Sequence, residues 1–139
     1  SPEFAPGVAL KSMKILVALA AAIEIPTALV LISYPALFTQ LLFGADISAA
    51  DQALGPLAGF ALIALAIACW PSRKAAAPPL SAVLALLAFS LLCVLYLAYR
   101  GAAGASTGIL LWPATIGHAV VALLLLWCWQ ATRAVDRRK

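Results

Sequence analysis

The chain has 139 residues, 65 % of them hydrophobic and 10 % charged, with a mean hydropathy of +1.08. Soluble domains carry about 25 % charged residues, so an ordinary soluble domain is excluded and an integral membrane protein is expected. The net charge of +4 is no nucleic-acid footprint, because the basic residues flank the apolar runs, where they anchor and orient helices.

The expected fold is all-α, a membrane bundle of four transmembrane helices with spans near 14–34, 49–70, 80–99 and 108–130. Ser1 to Phe4 match residues left by a common expression-vector cloning site. Met13 is the sole methionine and opens a basic-then-apolar pattern. Residues 1–12 are therefore expected to be a cloning remnant or disordered N-terminus, and 13–139 a single membrane domain.

The first span carries Glu24 near its middle and Pro26 two residues later. A charge at mid-membrane costs from about 3 to more than 10 kcal/mol, so Glu24 is expected to be neutral, paired or facing a polar cavity. Pro26 frees the carbonyl of Ala22 and predicts a kink just beyond Glu24. Val17, Ala20, Ala21, Thr27 and Ala28 share the Glu24 face, which predicts packing on other helices. Pro35 ends or bends this span. Residues 35–43 form a short amphipathic segment expected in the interface, and Gly44 suits a helix C-cap.

The second span is expected to start with a capping-box pattern at Ser48 to Asp51 and to bend at Pro56. It contains Gly55 and Gly59 as GxxxG, then Ala61, Ala64, Ala66 and Ala68. Small residues let helices approach closely in lipid. The contact they make is either inside the subunit or in a homodimer. Pro71 ends the span, and the link 71–79 carries Arg73 and Lys74. The third span leads to Arg100. Ser106 or Thr107 is expected to cap the fourth, with Pro113 bending its first turns.

Loop charges set the orientation. Lys11, Lys14, Arg73, Lys74, Arg133, Arg137, Arg138 and Lys139 fall on one side and Arg100 alone on the other, which predicts both termini in the cytoplasm of a bacterial inner membrane. The aromatics agree, with Trp70, Trp127 and Trp129 at the cytoplasmic interface and Tyr34, Tyr96, Tyr99 and Trp112 at the opposite one.

Glu24 and His118 are each about ten residues into their spans, so antiparallel helices bring both to mid-depth. The pair reads either as a ligand or proton site or as a polar clasp between helices. Ser90 and Thr115 lie near this depth. Each either joins the pair or bonds its own helix backbone. Trp112, Tyr96 and Tyr99 either wall a pocket or form an aromatic belt. His118 is the only histidine and Met13 the only methionine, so a six-coordinate haem would need a second subunit or another ligand type. Cys69, Cys93 and Cys128 form no CxxC pair and are odd in number, which suggests no disulfide framework. No cofactor box or nucleophile–base set is visible, so neither an enzyme nor a cofactor is expected.

The stretches Leu-Leu-Phe-Gly (41–44), Leu-Ala-Gly-Phe-Ala-Leu-Ile-Ala-Leu-Ala-Ile-Ala-Cys-Trp-Pro (57–71) and Leu-Leu-Trp-Pro-Ala (110–114) resemble small bacterial four-helix inner-membrane proteins, similar in size and topology to DoxX-like proteins. A second resemblance is to the small multidrug resistance transporters, which have four short helices, an essential glutamate in the first, and a dimeric working form. Ala-Ala-Ala-Ile-Glu-Ile-Pro-Thr (20–27) matches that placement. The third span lacks their glycine-rich motif, and His118 has no counterpart there. The expected function, resting largely on this analogy, is binding or translocation of a small apolar or cationic molecule, proton-coupled through Glu24 and His118. The alternative is a scaffold that packs on partner membrane proteins through the small-residue face of the second span.

Overall fold

A computed structural model describes residues 6–46, 48, 52–104 and 106–136. Among these residues the fold consists of helices and connections only. The helices are α1 (Pro6–Ser33), α2 (Pro35–Phe43), α3 (Leu54–Cys69), α4 (Leu80–Ala102) and α5 (Leu111–Asp136). Three segments are long and apolar enough to cross a membrane: Leu10–Ser33, Leu80–Ala102 and Leu111–Ala131. The second expected span is shorter than 49–70, because α3 has 16 residues. Asp51 of the expected capping box lies outside the described residues, as do Ser1 to Phe4 and the basic residues Arg137, Arg138 and Lys139.

The N-terminal expectation changes most. Residues 6–12 continue α1, and Leu10 packs against the core. Pro26 is accommodated within α1 and is exposed. Pro56 and Pro113 each sit at the third position of their helices, α3 and α5. The first-turn amides lack intrahelical partners in any helix, so proline is tolerated there without a bend. The fourth span likewise starts later than expected. The Ser106 hydroxyl accepts a hydrogen bond from Arg100 Nε at 3.1 Å, in the link ahead of α5.

The expected C-cap is present. Gly44 adopts φ 70° and its N–H bonds to the carbonyl of Gln40. A side chain at that left-handed position would also meet the backbone of Gly108, so both conformation and space favour glycine.

α1 packs most extensively on α3, α4 on α5, and α1 also on α5, while α3 and α4 touch much less. The α1–α3 contact depends on the two glycines of the GxxxG. A Cβ at Gly59 would lie 2.6 Å from Ile32 Cγ1 and 2.7 Å from the Ala28 carbonyl, and one at Gly55 would meet Pro35. The small-residue face is thus occupied within the chain.

The core divides by depth. At the end where α1 begins, Met13, Val17, Ala20, Ala21, Ala66, Cys69, Ala82, Val83, Leu86, Leu125 and Cys128 form one buried cluster. Lys14 Nζ donates to the carbonyls of Arg73 (3.2 Å) and Ala75 (2.8 Å), tying the 71–79 link to this end. At the other end Leu42, Leu97 and Leu111 form a second cluster with Phe38, Phe43 and Ala114. Around the outside, Ile15, Leu19, Leu29, Leu57, Phe60, Ile67, Leu84, Leu92, Leu95, Ile116, Leu123 and Trp127 are exposed. Such a continuous apolar surface marks contact with a membrane or a protein rather than water.

Candidate functional site: an apolar cavity around Glu24

Between the two packed clusters lies a cavity of about 690 Å³, within the ~300–1,000 Å³ of small-molecule sites. Every helix contributes to it. α1 supplies Ala20, Ile23, Glu24, Thr27 and Leu31; α4 supplies Leu86, Phe89, Ser90, Cys93 and Leu97. α2 closes one end with Phe38 and Leu42. The volume exists because small residues stand at this level, with Ala58 and Ala61 on α3 and Ala114 and Gly117 on α5.

Glu24 is 7 % exposed, yet no described residue gives its carboxyl a hydrogen bond or ion pair. Among the described residues no side-chain oxygen or nitrogen is both fully buried and unpartnered, and Glu24 lines the cavity, so its carboxyl oxygens face the open volume. α1 brings Glu24 inward because Val17, Ala20, Ala21 and Ala28 on the same face are buried with it. The adjacent Thr27 hydroxyl donates to the carbonyl of Ile23 at 3.1 Å, so its proton is held within its own helix.

His118 lines the same cavity from α5. Its ring meets Phe89 edge to face, with centroids 5.6 Å apart. Glu24 and His118 therefore share one chamber with no hydrogen bond or ion pair between them, and a direct clasp is not formed. Ser90 is buried and lines the cavity one turn from Cys93.

The other expected site residues lie elsewhere. Thr115 is buried and donates to the carbonyl of Leu111 at 2.7 Å, the backbone alternative. Tyr96 is exposed and packs edge-on against Phe43, and Trp112 is exposed beside Gly101. Both belong to the outer rim, not to the chamber wall. Sequence reasoning missed Cys93, Phe89 and Phe38 as wall residues. A three-residue spacing joined Cys93 to Ser90 on one face of α4, but nothing in the sequence showed that α2 folds back over the chamber.

The geometry suits a mostly apolar guest whose single polar group meets the carboxyl. Among the described residues, no group of three or more His, Cys, Asp or Glu side chains could hold a metal ion. Comparison of the chain with protein-family models, curated proteins and solved structures returns no match.

Proposed function

We propose that this is a four-span inner-membrane protein that binds a small, largely apolar molecule carrying one cationic or hydrogen-bond-donating group. The observation behind this reading is the Glu24 carboxyl, which faces an apolar chamber with no hydrogen-bond or ion-pair partner among the described residues. A polar group in apolar surroundings is costly unless it is hydrogen-bonded. A guest's amine or hydroxyl would supply the missing donor. A proton can take the same place on the carboxyl, so proton and guest compete there, which is the basis for proton-linked binding or transport. His118, which lines the same chamber, is a second group that a bound molecule meets.

In this reading α3 is the fourth span. Its 16 residues rise about 24 Å, short of the ~30 Å hydrocarbon core, a mismatch that local thinning and its flanking residues accommodate. Its exposed Leu57, Phe60 and Ile67 would face lipid with the neighbouring helices. Loop charges favour cytoplasmic termini.

The test uses purified protein in lipid nanodiscs and the fluorescent apolar amine 1-aminoanthracene, with anthracene as its neutral counterpart. A hydrogen bond to a charged acceptor contributes about 1.5–3 kcal/mol. Glutamine still offers a neutral acceptor, worth about 0.5–1.5 kcal/mol, so Glu24→Gln should weaken the amine by about 1 kcal/mol, roughly fivefold, reduce the pH dependence of binding and leave anthracene unaffected. Circular dichroism should be unchanged. Equal affinity and the same pH profile in both proteins would defeat the proposal.

A further inference from the structure

The chamber is closed at both ends of the bundle. On one side stands the buried cluster around Val17, Leu86 and Leu125. On the other, α2 and the link before α5 are joined by backbone bonds from Thr107 N to Phe43 O (3.0 Å) and from Leu110 N to Leu41 O (2.9 Å). Arg100 reinforces that seal. It donates to Ser106, and its guanidinium lies 5.6 Å from the centre of the Phe43 ring.

The side wall is weaker. α3 and α4 are held together beside the 70–79 link, where the Cys69 thiol lies 3.7 Å from the Ala82 carbonyl and Ala66 joins Val83 in the core. These two helices make far less contact than their neighbours do. The chamber reaches Ala58 and Ala61 on α3, both exposed, and Phe89 and Cys93 on the facing side of α4. The outer surface of α3 and α4 beyond this seam is apolar, with Leu57, Phe60, Leu92 and Leu95 exposed.

We propose that the guest reaches Glu24 sideways from the hydrocarbon layer, through the α3–α4 seam, and is therefore a membrane-dissolved amphiphile rather than a water-borne solute. This rests on the binding reading above and narrows its ligand class. At the seam a molecule meets Ala58, Ala61, Phe89 and Cys93, a largely apolar set, before its polar head reaches the carboxyl. A strongly hydrated ion has no such path, because shedding its water in an apolar seam is costly.

Cys93 reports access to the chamber whether or not anything binds there, so failure of this inference is separable from failure of the binding proposal. The protein carries Cys69→Ala and Cys128→Ala, leaving Cys93 as the only thiol, and is reconstituted in phosphatidylcholine vesicles. Two reagents are compared: lipid-soluble benzyl methanethiosulfonate and membrane-impermeant 2-sulfonatoethyl methanethiosulfonate. Each forms a mixed disulfide with the thiolate and releases methanesulfinate. Rates are normalised to those of the same protein unfolded in detergent. The benzyl reagent should modify Cys93 at least about tenfold faster than the sulfonate from either side. Ala61→Phe, which places a ring at the seam, should slow the benzyl reagent by about tenfold if access depends on opening there. Ala58→Phe is the second seam variant, should the first fail to fold. Ala64→Phe, on an exposed position outside the chamber wall, should leave the rate unchanged. Comparable rates for the two reagents, no modification by either, or an unaltered rate in a folded seam variant would each overturn the inference.

Discussion

Replacing Gly59 by alanine isolates the α1–α3 contact. The added methyl carbon would sit 2.6 Å from Ile32 Cγ1 and 2.7 Å from the Ala28 carbonyl oxygen, some 0.7–0.8 Å inside ordinary van der Waals contact at 3.4 Å. Ile32 can rotate away, but the carbonyl belongs to the backbone of α1. The helices must therefore separate locally, and overpacking of this kind costs about 1–3 kcal/mol. Alanine also favours a helix over glycine by about 0.5–1 kcal/mol, so the net loss should be centred on about 1 kcal/mol, within about 0–2.5 kcal/mol. Gly117→Ala is the matched control. Nothing lies within 4 Å of a Cβ built there, so only the helix preference remains and stability should hold or rise. The assay is reversible unfolding by sodium dodecyl sulfate in mixed micelles, followed by circular dichroism. Loss in Gly59→Ala together with no loss in Gly117→Ala is the expected pattern. A neutral or stabilising Gly59→Ala would refute the close-packing argument. A variant that lost only self-association, with unchanged stability of the monomer, would move the glycine face to an interface between chains.

Arg100→Ala removes the donor to Ser106 and the cation over Phe43. It should cost about 1–2 kcal/mol in the same unfolding assay. It should also raise the modification of Cys93 by the sulfonate reagent, because the polar seal over α2 is lost; unchanged modification would show that the seal does not depend on Arg100. For orientation, reporter fusions after Lys139 and at Gly104 should read cytoplasm and periplasm respectively. The reverse pattern would invert the membrane placement and exchange the two aromatic belts.

What the sequence determined by itself was local. Its apolar runs gave the long helices, because segments this apolar satisfy their backbone only as helices in a membrane. Gly44 marked the end of α2, and Glu24 stood near the middle of its apolar run. Thr115 also followed its local option and bonded its own helix. Only the tertiary structure decided which faces meet. A helix apolar all round gives little sign of which side is inward, since lipid and neighbouring helices are equally apolar partners. So Gly55 and Gly59 could be recognised as a contact face, but not that Ala28, Ile32 and Pro35 fill it. Pro56 looked like a bend within its span until the start of α3 placed it in a first turn, whereas Pro113 was expected in the first turns and stands at the third position of α5. Glu24 and His118 were expected at matching depth, yet they line one chamber with no hydrogen bond or ion pair between them, where the sequence alone allowed a clasp. The same packing drew Cys93 and Phe38 into the wall and left Tyr96 and Trp112 on the rim, because rotation about each helix axis and the fold-back of α2 depend on contacts far apart in the chain.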